Sequence, residues 1–292
     1  MFITKFGLPL GRGWFVLCLC FTVVGINWAQ SGDRATTPRD AEPNLVSSYS
    51  PVRVVSLSAA TTLILFELHE SYVHSWWWKD RRSFHFAYDG DYACNMDKLG
   101  HAVAWNFVAE GYRTAYRWAG WDDEAACWWA LGTAAGLHLF TESHEGLSSY
   151  FGFDPLDYAS GMAGASLVVG QHYWPWLRRV QLRLSFVPSR SYDEYHPAIK
   201  DYQGQKYWAG VTLFPEKSTS FLRGVTLDVG FNLNDYDATV AQVHPQLWIS
   251  LGIDWRRYLG ESILARLLNY LKFSFPAVRV APQLGMSWTS WD

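Results

Sequence analysis

Gln181-Leu182-Arg183-Leu184-Ser185-Phe186 alternates polar and apolar side chains, and Leu247-Trp248-Ile249-Ser250-Leu251-Gly252-Ile253-Asp254-Trp255 does the same. A period of two is the pattern of a strand with two unlike faces. Tyr207–Phe214, Gly224–Phe231 and Val278–Trp288 read as weaker strands. The stretch ESILARLLNYLKF (residues 261–273) sets Ile263, Leu264, Leu267, Leu268 and Leu271 on one side of an amphipathic helix. Upstream the period lengthens to that of helices. Apolar segments run from Val54 to about Tyr72, from Asp97 to Trp118, from Asp122 to Glu145 and from Asp154 to about Tyr173, before Pro175. Asp154 suits an N-cap, Pro155 the first helical position and Asp157 the first turn. Helices first and strands after define an α+β chain: an up-down bundle of about four helices, then a strand-rich part.

The ends and joints divide the chain further. Lys5 and Arg12 precede the apolar run Trp14–Gly25, and Ala29 offers a small residue for cleavage, so residues 1–29 are expected to be an export signal. A retained first membrane helix is the other reading. Cys18 and Cys20 lack the small-residue context of a lipobox, so no lipid anchor is expected. Residues 30–52 are polar and carry three prolines, as a linker does. The helical bundle is then expected over 53–178 and the strand-rich region, with its amphipathic helix, over 179–292. Cys94 and Cys127 are the cysteines left beyond the signal, enough for one disulfide and not for a framework.

Charge and composition narrow the partners. The net charge is −3 and no Lys/Arg-rich run occurs, which argues against nucleic acid. The 17 Trp, 16 Tyr and 17 Phe suit either a large soluble core or a membrane–water boundary, where Trp concentrates. Ala125–Thr141 and Leu156–Leu177 come close to the roughly 20 apolar residues of a spanning helix. Tryptophans flank them: Trp118, Trp121, Trp128, Trp129, Trp174 and Trp176. Membrane association is expected over a soluble periplasmic bundle, with membrane lipid or an envelope protein as partner.

Polar residues gather at the ends of these helices. Asp97 and His101 are four residues apart and share a face of the second helix. Glu142 and Glu145 lie near the end of the third, and Asp157 in the first turn of the fourth. Alternating helix directions bring all five to one end of the bundle. Helix capping accounts for Asp97 and Asp157 equally well, and core packing for His101. The two glutamates oppose the dipole of their own helix, so Lys98, a protonated His101 or a cation is expected nearby. Imidazole with carboxylates can bind a transition metal or transfer protons. HExxH, paired CxxC and GxSxG are all missing, so no metal is assigned and the cofactor is left open.

The 20-residue connection WWWKDRRSFHFAYDGDYACN (residues 76–95) is too long for a structureless loop and is expected to pack or function. Together with MDKLGH (residues 96–101) it resembles the DUF2279 family of predicted periplasmic or outer-membrane proteins. Lys79-Asp80, Ser83-Phe84-His85-Phe86 and Asp97-Lys98-Leu99-Gly100-His101 stand where that family has its Tyr-Lys-Asp, Ser-Phe-His-Phe and Asp-Lys-x-Gly-His segments. Glu142, Glu145, Gly152-Phe153 and Asp157 match its later acidic pair, Gly-Phe and Asp, and Lys200–Trp208 is similar to a further segment. More distantly the pattern resembles VanZ-like membrane proteins. Both patterns usually have Asn four residues after the final Asp, where this chain has Gly161.

The resemblance implies an exported, envelope-located protein on the outer-membrane or periplasmic side, and no particular activity. The expected role is structural or accessory, with Asp97, His101, Glu142, Glu145 and Asp157 as the candidate site and Lys98 and His85 as ligand-binding groups. The alternative is a metal- or acid/base-dependent enzyme acting on an envelope lipid or glycan. There His101 is base or metal ligand, Glu142 and Asp157 are acid or further ligands, and Lys98 binds an anion.

Overall fold

The computed structural model describes residues 49–90, 92–188, 201–215, 218–234, 244–272, 276–282 and 284–287. The expected signal at 1–29 and most of the expected linker fall outside them. Helices come first: α1 (Pro51–Val73), α2 (Met96–Ala119), α3 (Asp123–Glu145) and α4 (Pro155–Tyr173). Short polar side chains set their starts. Asp122 accepts from the amide of Ala125 at 2.8 Å, and Asp154 accepts from Leu156 at 2.8 Å with Pro155 in the next position. The long connection before α2 is ordered. It holds 3-10 turns at Trp76–Lys79 and Tyr92–Asn95, and single bridges tie Arg81 to Ser148 and Phe86 to Phe153. Ala93, Cys94 and Asn95 all take left-handed φ (47°, 49° and 61°), a reversal that costs roughly 1–2 kcal/mol per residue.

The strands are β1 (Val180–Phe186), β2 (Gln205–Thr212), β3 (Val225–Asn234), β4 (His244–Ile253), β5 (Ala277–Ala281) and β6 (Gly285–Ser287). They form one antiparallel meander in chain order, with α5 (Arg256–Leu259) and α6 (Ile263–Tyr270) between β4 and β5. Helices followed by a six-stranded sheet make the chain α+β, as the two periodicities predict. One detail differs. Val278–Trp288 reads as a single strand in the sequence but forms two, β5 and β6, because Pro282 between them has no amide to continue a ladder.

The chain divides into two compact units: Met1–Ala87 with Glu110–Phe153, and Tyr88–Ala109 with Asp154–Asp292. The division passes through α2. In the first unit, Arg53 donates to the carbonyl of Trp118 at 2.7 Å and Tyr112 to Thr61 at 3.1 Å, joining α1 to the end of α2. Arg113 and Asp123 pair at 2.9 Å across the α2–α3 turn. Cys127 is fully buried here, a free thiol that burial pushes up to about 11; Cys94, in the other unit, is also free.

In the second unit the first half of α2 runs against α4. Gly164 makes that approach possible: a Cβ there would meet the carbonyl oxygen of Ala102 at 1.9 Å. Asn106 donates to the Gly164 carbonyl at 3.0 Å, closing the contact with a hydrogen bond. Met96, Ala93, Tyr202 and Leu233 form an apolar cluster beside it, and Phe107 stacks on Tyr270 at 4.0 Å.

The sheet of this unit is tightly curled. The Lys272 amide donates to Leu184 at the free edge of β1 (2.9 Å), yet its ammonium donates to Leu251 on β4 (2.7 Å). In a flat sheet those points would lie three strand spacings, roughly 14 Å, apart. A lysine side chain covers a fraction of that distance, so the strands must bend round.

The inner face is polar. Gln181, Arg183 and Ser185 of β1, Thr226 and Asp228 of β3, and Ser250 of β4 are buried, while Val229 and Leu251 on the outer face are 45% and 50% exposed. Gly210 and Gly252 leave room inside for the central pair, since a Cβ at either would strike Asp228 at 2.3 Å.

Gly164→Ala is expected to lower the thermal midpoint by the equivalent of about 1–3 kcal/mol, the usual cost of overpacking. Ser166→Ala, on the exposed side of the same helix, is expected to leave it unchanged. Calorimetry of the two variants in detergent checks both.

Candidate functional site

Two helix N-termini meet in the second unit, and four carboxylates meet with them. Asp97 and Lys98 lie in the first turn of α2 and His101 one turn on. Asp154 caps α4, Asp157 lies in its first turn, and Asp89 arrives from the connection before α2. Carboxylates at helix N-termini are placed where the backbone amides and the macrodipole favour negative charge.

Lys98 sits among them. Its Nζ is 2.6 Å from Asp157 Oδ1, an ion contact without hydrogen-bond alignment, and 3.2 Å from Asp154 Oδ2. It also pairs closely with Asp89 and lies 3.8 Å from Asp97 Oδ2. Asp154 accepts in addition from the amide of Asp89 at 3.2 Å. His101 Nε2 is 3.8 Å from both Asp97 Oδ1 and Asp157 Oδ2, and Tyr202 donates to Asp97 Oδ1 at 2.9 Å.

One ammonium against four carboxylates leaves three negative charges uncompensated if every acid is ionised. Lys98, Asp154 and Asp157 are buried, so the cluster sheds charge by protonation. Burial first, and the charge of Asp97 next, push Asp157 up to about 8 against the pull of Lys98. Asp89 is also raised, by burial and by Asp154. Asp154 goes the other way: burial opposes its charge, but the amides of Leu156 and Asp89, together with Lys98, hold it below the ordinary carboxylate value. Burial works against the Lys98 ammonium too, yet Asp157, Asp89 and Asp154 outweigh it and raise Lys98 above its ordinary value. At neutral pH the cluster therefore contains a firmly charged lysine and a proton held at Asp157.

Of the residues the sequence singles out, the structure gathers Asp97, Lys98, His101 and Asp157. Asp89 and Asp154 complete the group; in the sequence Asp154 reads as a cap alone, and Asp89 before Gly90 carries no signal beyond a turn. Glu142, Glu145 and His85 belong to the other unit.

There Glu142 Oε1 lies 3.1 Å from His138 Nε2, and both side chains are almost completely buried. Burial lowers His138 to about 3, so its ring is neutral at physiological pH. His144 donates from Nδ1 to the carbonyl of Phe140 at 2.8 Å, which leaves Nε2 to accept from His69 Nδ1 at 3.0 Å. His85 accepts from Arg82 Nε at 3.1 Å and donates from Nε2 to the carbonyl of Phe151 at 2.9 Å, pinning the segment before α4. The spacing of four between His138 and Glu142 on one helix was the available signal for that pair.

Chemically, two donor sets in the second unit have ligand geometry: Asp97, His101 and Asp157, and Asp89, Asp154 and Asp157 each offer atoms within 4.8 Å of one another. Both sets share Asp157, and that residue already touches the Lys98 ammonium. The chain matches no family model, no curated protein and no solved structure.

Between the unfolded carboxylate value and about 8, folded Asp157 holds a proton that the unfolded chain releases. This group therefore makes stability fall as pH rises through that window. Asp157→Asn resembles the protonated form and removes the slope. Its unfolding midpoint, relative to the parent, is expected to improve from pH 5 to pH 8. A difference that stays the same across that range would show that Asp157 is ionised in the fold.

Proposed function

We propose that this chain is an exported, membrane-associated component of the cell envelope with a structural or accessory role, related to the DUF2279 family and more distantly to VanZ-like proteins. The observation that carries the role is Lys98. Its ammonium contacts four carboxylates from the preceding connection, α2 and α4, and so fills the position that a catalytic cation would need. A buried charge held this way fixes two helix starts and a connecting segment in one arrangement. Membrane association is supported by α1. Among the described residues it is the one helix long and apolar enough to cross a bilayer, and none of its 18-residue apolar window is buried within the chain.

The second reading is an enzyme acting on an envelope lipid or glycan, favoured by the Asp97–His101–Asp157 geometry. In it His101 is the base or a metal ligand, Asp157 the proton donor, and Lys98 the group that meets an anion. Metal content separates the two. Protein purified in mild detergent is expected to carry no stoichiometric metal by mass spectrometry, and Lys98→Met to lose about 3–5 kcal/mol of stability, the cost of stranding buried charges. Bound metal that disappears in His101→Ala would establish the enzyme instead.

Location has its own test. The mature chain is expected to stay with envelope membranes through high-salt and carbonate washes. Recovery in the soluble fraction would overturn the proposal.

A further inference from the structure

The sheet of the second unit is built inside out for water. Its interior is an ionic and hydrogen-bonded network. Arg183 donates to Asp228 at 2.9 Å and to the Ile253 carbonyl at 3.0 Å. Lys272 donates to Asp228 at 2.5 Å, and Thr226 to the other Asp228 oxygen at 2.7 Å. Arg183, Asp228 and Lys272 are each at most 2% exposed.

The opposite face carries Val211, Leu227, Val229, Leu247, Ile249 and Leu251, all between 38% and 50% exposed. They are neighbours across β2, β3 and β4, since Val211 pairs with Leu227, Leu227 with Leu251, and Val229 with Ile249. Among the described residues no charged side chain interrupts them on that face. A sheet in water would bury this set and expose the network.

Polar-in, apolar-out alternation is what a strand shows when its outer solvent is hydrocarbon. β3 and β4 have ten residues each, the length that crosses a bilayer core when tilted, and β2 beside them has eight. One rim agrees as well. Where β1 and β3 begin and β2 and β4 end, Trp174, Trp176 and Phe221 are 56%, 65% and 84% exposed. Arg179 and Arg223 stand beside them, bonded to the Thr212 and Arg257 carbonyls at 2.8 and 2.7 Å. Aromatic rings and guanidinium groups at one level are what the headgroup layer of a bilayer takes up.

We propose that the outer face of β2–β4 lies in the hydrocarbon of a lipid bilayer, with the Trp174/Trp176/Arg179/Arg223 rim at its headgroups. This rests on the envelope-membrane reading above and deepens it: the sheet, in addition to α1, is a lipid-contacting surface. The polar interior follows from the same arrangement. Ion pairs that would gain little in water are sequestered in a curled sheet whose outer solvent cannot hydrate them.

The test uses the full chain with its cysteines replaced by alanine, reconstituted in vesicles of phosphatidylcholine and phosphatidylglycerol. Single cysteines at Val229, Ile249 and Val211 are spin-labelled, with Glu261→Cys as the aqueous control. The native side chains at all these positions are already exposed, so the labels need not disturb the interior; the third outer position guards against a variant that fails to fold. Labels on the outer face are expected to collide several-fold more with oxygen than with a water-soluble nickel chelate, and Glu261→Cys the reverse. Outer-face labels that favour the chelate would place the sheet in water and overturn the proposal, leaving the membrane reading standing if the chain still resists carbonate. Labels shielded from both reagents would mean that protein, such as a second copy, covers the face, and that too would overturn it. A chain that does not stay with the vesicles would overturn both readings.

Discussion

The ammonium of Lys98 is the constraint on which the candidate site depends. Two helices, α2 and α4, begin at one place, and each brings the positive end of its backbone dipole. Asp97, Asp154 and Asp157 answer those two ends, and Asp89 enters from the preceding connection. The acids overshoot, and Lys98 together with the proton on Asp157 reduces the surplus. Remove Lys98 and buried carboxylates are left without their counterpart. The close Gly164–Ala102 approach further along the same two helices is the apolar complement of that electrostatic joint. Charge fixes where the helices start, and the absence of a side chain fixes how near they run.

The sheet solves a related problem with the opposite economy of space. Arg183, Asp228 and Lys272 share one small interior, and Gly210 and Gly252 stand beside them because no larger residue fits. Trp208 and Trp248 fill the rest, each with a lysine ammonium over its ring, at 4.8 Å for Lys272 and 4.6 Å for Lys206. Arg183 on β1 reaches Asp228 on β3, Gln181 on β1 reaches Thr212 on β2 and Trp248 on β4 reaches Asn232 on β3, so the curl of the sheet and the network require one another. A flatter sheet would pull Lys272 off Leu251.

Much of the architecture was legible because periodicity is local. Four helices and the strands stand close to where the change from helical spacing to alternation put them, and Asp154-Pro155 marked the start of α4 to the residue. The extra strand was not legible, since Val278–Trp288 alternates loosely across a proline that breaks the ladder. The alternation of Gln181–Phe186 said that two faces differ; it could not say which faces inward, because that is decided by curvature and by partners far along the chain. At the site, spacing gave Asp97 with His101, and helix direction gave Asp157. Asp89 could not be found this way. It reaches Lys98 only because the connection before α2 turns through three left-handed residues, which nothing in the composition of Tyr92–Asn95 announces.

An inward-facing charged layer also bears on how the chain attains this state. Collapse in water gathers apolar side chains together, and for β1–β4 that would turn the strands over and leave Arg183 and Asp228 at the surface. A one-residue slip of register is all that separates the two arrangements. The native sheet, with Arg183 and Asp228 inside and Val229 and Leu251 outside, is thus the reverse of the arrangement that aqueous collapse alone favours.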